Sequence, residues 1–414
     1  MEHASYFYYA LLWIIGWGAV GAVVTPRIYG RKDLDISQAS LAGAATGAAG
    51  GPFSLIPLWY LTPRLDWKWV VLPAIVIALI FASAFAAADP DNLCVTNRPF
   101  VITQIANGLV IGTIYGLMAL GLTLIFSILG VVSFAHGEFY MLGGMAVYYL
   151  TALWFPGLPA IVGVLGAALL AFVIGLIFER LFLRAMNTGQ VERPGEYAIL
   201  VTFGLGFFLQ YLTLALVGAN PKKVQRFFEY PAINLPSAQN PGLLKVTAGT
   251  LKLFDLVSIP SPRFTAAWIA LLLLALLMWF LYRTWIGRAL RAVSQDRQAA
   301  AVTGVNPNTM NTLAFGLGTM LAGLSGASLV QVFSWVPWVG TPASARSFVI
   351  IVLGGMGSLP GAFVGGLIVG IVEALGAGCV PDPQRATSYI PAYGMAILTL
   401  VLLLKPTGLF GREL

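Results

Sequence analysis

Charge is what this sequence has least of. Only 9% of its 414 residues are Asp, Glu, Lys or Arg, against 58% hydrophobic, and mean hydropathy is +0.85. Soluble domains carry roughly 25% charged residues, so there is too little polar surface here to cover a globule in water. Histidine and cysteine are scarce as well, with two of each. Two thiols make no disulfide framework, although Cys94 and Cys379 could pair if both face an oxidising side. So few His and Cys also disfavour a structural zinc site. The chain has no GxxxxGK[ST] phosphate loop, no HExxH, no paired CxxC and no Gly-x-Ser-x-Gly elbow. ATP binding through a P-loop is excluded. The expectation is no catalytic residue, no metal site and no cofactor.

What fills the chain instead is apolar runs, several of about 18–25 residues, which match the roughly 30 Å hydrocarbon core of a bilayer. A transmembrane barrel would alternate over segments of about ten residues, whereas these runs are continuous. They fall at 6–24, 69–88, 101–129, 134–154, 159–183, 198–217, 264–282, 312–334, 346–358, 361–378 and 388–405. A further segment, 39–61, is Gly/Ala-rich with Pro52 and Pro57, and is compatible with spanning, re-entry or a surface position. The fold class is an all-α polytopic transmembrane helical bundle of about 10–12 membrane segments, with broken or short helices in its core. The first run, Tyr6 to Val24, lacks a positive n-region and a cleavage site, so it is expected to be a retained helix.

The formal net charge of +7 would suggest nucleic acid in a soluble protein. In a membrane protein it belongs to loops held on the cytoplasmic side. Two basic stretches close to helix ends, 179–196 and 282–298, are therefore placed inside. This leaves 218–263 outside, although Lys222, Lys223, Arg226, Lys245, Lys252 and Arg263 run against the rule there. The C-terminal "KPTGLFGREL" is placed inside.

Four features carry candidate function. Gly108, Gly112 and Gly116 form a GxxxGxxxG, a spacing that lets helix backbones approach, and Gly361/Gly365 and Gly366/Gly370 repeat it. The short segment 346–358 ends in "GGMGSLPG", with Gly354, Gly355 and Gly357. It is either a broken helix near a pathway or a tight loop between helices. His136 and Glu138 sit in "FAHGEFYMLGGM" after a run, 99–135, with no charge. Two residues apart on a helix, they point to different faces, which disfavours a catalytic pair. Glu138 suits a first helical turn, where the backbone dipole favours a carboxylate. His136 could cap, brace a neighbouring helix or line a path. Glu138 and Glu373 are the only carboxylates expected near membrane depth. Finally, "GRALRAVSQDRQAAAVTGVNPNTMNTLAF" (287–315) reads as a short amphipathic helix with a turn at Gly304 to Pro307. Such a helix can lie on a membrane or dock in a partner's groove.

Gln298-Ala299-Ala300, three residues, then Gly304 resembles the EAA-type coupling loop of ABC importer permeases, with Gln in place of Glu. More broadly, the chain from about residue 100 resembles the branched-chain amino acid permease family of binding-protein-dependent ABC importers. The resemblance rests on 107–144, "ER" at 179–180, 287–305, "VLGGMGSLPGAFVGGLIVGIVEAL" (352–375) and "KPTGLFGR" (405–412), in the family's order. The "FAHGE" form is similar to the first of the two paired permeases. Residues 1–98 form an extension with two or three apolar segments that match nothing in the family core, followed by the permease core at 99–414.

The resemblance implies a prokaryotic inner (plasma) membrane subunit with several partners. These are two cytoplasmic ATPases, a second permease, an extracytoplasmic substrate-binding protein and membrane lipid, but no nucleic acid. The loop centred on Gln298–Gly304 would carry the ATPase motion, with Arg288, Arg291, Asp296 and Arg297 as surface contacts and Ala299 and Ala300 at its heart. The path, or its support, would involve Gly108, Gly112, Gly116, His136, Glu138, Gly354, Gly355, Gly357 and Glu373. Branched-chain amino acids are the expected solute, and urea, short amides or other amino acids would suit the same chemistry. Two other classes stay open. One is an ATP-independent channel or secondary transporter using Glu138 and Glu373 for ion coupling. The other is an intramembrane enzyme using His136.

Overall fold

In the computed structural model, Cys94 and residues 97–187, 191–228, 230, 232–237, 240–247, 249–253, 257–379, 386–405 and 407–411 are described. The expected segments 6–24, 39–61 and 69–88 lie outside them. The chain divides into two compact units, residues 1–95 with 399–406, and residues 96–398 with 407–414. The second holds the features that follow, apart from the last residues of the C-terminal helix.

Helix α1 spans Arg98–Leu129, with Pro99 in its first turn and a left-handed Gly130 (φ 74°) ending it. Proline suits the first turn, where its missing N–H is not needed, and glycine accepts the left-handed cap. At 1.5 Å per residue the helix is about 48 Å long, more than the roughly 30 Å hydrocarbon core. α2 is only His136–Tyr148, and a π-helical turn, Tyr149–Trp154, continues it. Then follow α3 (Ala160–Leu181), α4 (Pro194–Val217), α5 (Ser261–Arg283), α6 (Trp285–Gln295), α7 (Arg297–Val302), α8 (Pro307–Leu329), α9 (Gly340–Gly354), α10 (Leu359–Gly378) and α11 (Ala386–Leu404, with Pro391 inside). Among the described residues, six helices are long and apolar enough to cross a membrane: α1, α3, α4, α5, α8 and α10. α2 and α9 are short, as expected for broken helices in the core.

Between α4 and α5, within the stretch 218–263 expected outside, the chain forms a four-stranded antiparallel meander. Its strands are β1 (Ile233–Ser237), β2 (Asn240–Thr247), β3 (Thr250–Leu253) and β4 (Val257–Pro260). Val246 pairs with Ile233 on one side and Leu251 on the other. β4 is tied to the start of α1, where the Ser258 amide donates to Thr103 Oγ1 (3.3 Å) and Asn107 Nδ2 donates to the Ser258 carbonyl (3.3 Å).

α8 is the hub. It packs against α1, α2 and α3, and its small residues make that approach possible. A Cβ at Gly318 would strike Ile125 and the Gly121 carbonyl, one at Gly326 the Tyr140 carbonyl, and one at Gly323 the Ala171 side chain. Hydroxyls add polar ties in a medium with few competing donors. Thr319 Oγ1 donates to the Ala171 carbonyl at 3.0 Å, and the Thr312 hydroxyl donates to the Glu179 carboxylate. Glu179 is thus a buried residue in the last turn of α3, at the start of the basic stretch 179–196 and within the expected segment 159–183. α1 and α10 form the second close pair. Gly108, Gly112 and Gly116 face Ile371, Leu367 and Phe363, and Gly366 and Gly370 return the contact.

Candidate functional site

The stretch "FAHGE" turns the chain sharply between α1 and α2. Gly130 ends α1, and α2 restarts at His136 without a side-chain cap. His136 is wholly buried, and its Nε2–H donates to the Met118 carbonyl of α1 at 2.9 Å. It braces one helix against its neighbour. Gly137 follows because no side chain fits there, since a Cβ would meet the Gly340 carbonyl and Ser344. The Gly137 amide donates to Ser344 Oγ (2.8 Å), and Ser344 Oγ donates to the Phe134 carbonyl (3.1 Å). These bonds fasten the start of α2 to the start of α9. The Phe134 amide donates to Thr202 Oγ1 on α4 (3.3 Å). Four elements therefore converge where α2 begins.

Glu138 is in the first turn of α2. Two residues on from His136, it lies on another face and points toward α9. A Cβ at Gly340 would collide with its carboxylate, and Thr341 of α9 lines the cavity beside it. The residue is 4% exposed, and its Oε2 has no hydrogen-bond partner; nor does Ser133 Oγ close by. Both residues line a cavity of about 330 Å³. Its walls are mostly apolar (Leu122, Phe134, Phe203, Phe207 and Phe348), with Gln210 of α4 and Thr341 and Ser344 of α9 as further polar groups.

Glu373, on α10, occupies a different place. Its Oε1 accepts from Arg346 Nε of α9 at 2.9 Å, its Oε2 accepts from the Tyr115 hydroxyl of α1 at 3.1 Å, and the guanidinium lies 5.5 Å from the centre of the Tyr115 ring. The side chains of Arg346 and Glu373 are 27% and 8% exposed. Both carboxylate oxygens are engaged, so Glu373 joins three helices. Arg346 went unnoticed in the sequence, yet the signal was there. It is the one charged residue between Arg297 and Glu373, and a cation inside apolar helices needs a partner.

The glycines have other neighbours. Gly108, Gly112 and Gly116 are used up against α10. Gly354 abuts Gly361, Gly355 (φ 99°) abuts Gly411, and nothing lies within 4 Å of a Cβ built at Gly357. None of them lines the cavity.

The segment after α5 is a helix–turn–helix on the outside of the bundle. Thr284 Oγ1 caps α6 by accepting from the Gly287 amide at 3.0 Å. Ala289, Leu290 and Val293 are buried, while Ile286, Arg288 and Ser294 are exposed. Arg291 donates to the Leu281 carbonyl (3.2 Å) and stacks 4.5 Å from the centre of the Tyr282 ring. It therefore fixes α6 on α5 and does not project freely. Asp296 Oδ1 caps α7, accepting from Gln298 (2.8 Å) and Ala299 (3.0 Å) amides. Ala300 is buried, with its carbonyl accepting from Val305 N at 3.0 Å, and Arg297 is half-buried. Gln298 and Ala299 face out, and Val302 is 89% exposed. Gly304 turns the chain at φ 90°, and Asn306 caps α8. Only 303–306 separate α7 from the hub helix.

Residues 104–405 match the family described as branched-chain amino acid transport system / permease component. The high-affinity branched-chain amino acid transport system permease protein LivH of Salmonella typhimurium is 31% identical over 322 residues, 76% of this chain and 96% of that protein. The corresponding LivH of Escherichia coli is 30% identical over 320 residues, with the same two shares. The permease protein BraD of Pseudomonas aeruginosa, named for the same kind of system, is 30% identical over 318 residues, 75% of this chain and 96% of that protein. No solved structure matches.

Proposed function

Since the chain belongs to the branched-chain amino acid transport system permease family, we propose that it forms half of the membrane path of an ATP-driven importer for branched-chain amino acids. It is a multi-pass plasma-membrane transport subunit and not an enzyme. The observation that carries the reading is the family match across 104–405, almost the full length of the relatives. In this reading two ATPases, a second permease and a binding protein complete the assembly.

The geometry supports a division of labour along α5. Its 23 residues span about 35 Å, with the sheet at one end and α6–α7 at the other. Arg283, Arg288, Arg291 and Arg297 cluster at the α6–α7 end, which by the positive-inside rule faces the cytoplasm. There the ATPase grips Val302, Gln298 and Arg288. An apolar side chain that stands 89% exposed is suited to a hydrophobic groove. Arg291 holds the segment to α5, and 303–306 pass its displacement to α8, which touches α1, α2 and α3. Movement of the hub alters the junction of α2, α4 and α9 and so the cavity there. The sheet at the other end receives the loaded binding protein.

The test is reconstitution of the chain with its companion subunits in liposomes and measurement of leucine uptake. Uptake that needs ATP and the binding protein, and that falls at least tenfold in Val302→Glu, is expected; the substitution buries a charge in the docking groove. Leucine uptake by this chain alone, without ATP, would instead favour the channel or secondary-transporter class.

A further inference from the structure

We propose that Glu138 is the group that recognises the α-ammonium of the solute, within the cavity between α2, α4 and α9. The inference deepens the transport reading above and rests on it. A carboxylate 96% removed from solvent, with Oε2 lacking any partner, leaves a strong acceptor unsatisfied in an apolar bundle, which natural structures avoid unless something fills the place. Ser133 Oγ, likewise unpartnered, supplies a second acceptor on the same wall. An ammonium offers three donors in a tetrahedral fan, so it can satisfy both oxygens at once. Gln210 of α4, also on the lining, carries amide donors suited to the solute's carboxylate. Phe203, Phe207 and Leu122 leave apolar space for a branched side chain. The cavity, about 330 Å³, falls at the small end of the roughly 300–1,000 Å³ typical of small-molecule sites.

His136 does not share the role, because it is directed at α1. Glu373 does not either, because both of its oxygens are already engaged. Of these two acidic side chains in the short-helix core, Glu138 alone has an acceptor free.

The experiment is equilibrium binding of radiolabelled leucine to the permease–ATPase complex in lipid nanodiscs, with competition by 3-methylbutylamine, which keeps the ammonium, and 4-methylpentanoate, which keeps the carboxylate. Wild type is expected to bind leucine and to release it to the amine more readily than to the acid. Glu138→Gln should weaken leucine binding roughly 10- to 100-fold, the range of one charge-assisted hydrogen bond, and abolish the preference for the amine. Gly206→Ala guards against a misfolded variant. A Cβ there would meet Glu138 Cγ at 3.8 Å and Ala135 Cα at 3.7 Å, ordinary contacts, so the helix tolerates the methyl while the space beside Glu138 shrinks. It should weaken leucine more than alanine. Leucine binding unchanged in both variants, or competition by the acid equal to that by the amine, would overturn this inference alone. Absence of any leucine binding or uptake by wild type would overturn the transport reading and this inference with it.

Discussion

Replacing one partner of the Arg346–Glu373 pair tests how the bundle is held. Glu373→Gln keeps an acceptor for the Tyr115 hydroxyl and removes the charge that faces Arg346 Nε at 2.9 Å. Breaking a buried pair from one side costs about 3–5 kcal/mol, because the survivor stays desolvated without compensation. Arg346 is about one quarter exposed, so some solvent screens it and the lower end, about 3 kcal/mol, is expected. Arg346→Met should cost a similar amount for the reciprocal reason. In the double variant no charge remains uncompensated. Its cost should fall well below the sum of the two, giving a coupling of about 2–3 kcal/mol. The assay is an unfolding titration in mixed detergent micelles, followed by tryptophan fluorescence, on wild type, both single variants and the double variant. Strictly additive losses, or single losses under about 1 kcal/mol, would mean that the pair behaves like a surface ion pair and that the helices owe it nothing.

Three further outcomes follow from the packing. Gly112→Val should separate α1 from α10, since a Cβ would already sit 2.8 Å from Leu367 Cα and 3.0 Å from the Gly366 carbonyl. A loss of at least 1–3 kcal/mol is expected, whereas Gly204→Ala, with nothing within 4 Å of its new methyl, should be neutral or stabilising in the same thermal scan. Gly304→Ala meets no atom within 4 Å, yet φ is 90°, so its cost of about 1–2 kcal/mol is purely backbone; it should appear as a lower ratio of leucine transported to ATP hydrolysed. His136→Ala removes the bond to Met118 and leaves a void, together about 2–4 kcal/mol, read as lower thermal stability of the assembled complex.

The helical framework was legible because lipid imposes it. Backbone groups with no water must bond within their own segment, so apolar length maps closely onto helices such as α3, α5 and α10, while α8 begins five residues before the expected 312–334, at its Asn306 cap and Pro307. The turn at Gly304–Pro307 was equally plain, as glycine and an Asn-Pro start are local signals. The meander at 233–260 was missed. Two of its strands, Thr250–Leu253 and Val257–Pro260, are only four residues long, and Pro236, Pro241 and Pro260 fall within the meander, so the alternation that marks a half-buried strand is too brief to read.

Glu138 and Glu373 show the limit most clearly. By sequence alone both are lone carboxylates in apolar surroundings, and each suggested the same roles. Composition and run length determined that this chain is a membrane bundle and roughly where its helices lie, because those properties depend on neighbours within a few residues. Which carboxylate is spent in an ion pair and which keeps an unpartnered oxygen beside a cavity depends on residues 27 positions away on another helix in one case and on the meeting of α2, α4 and α9 in the other. Only the tertiary structure decided that, since hydrogen bonding is satisfied between surfaces that the chain brings together after its helices have formed.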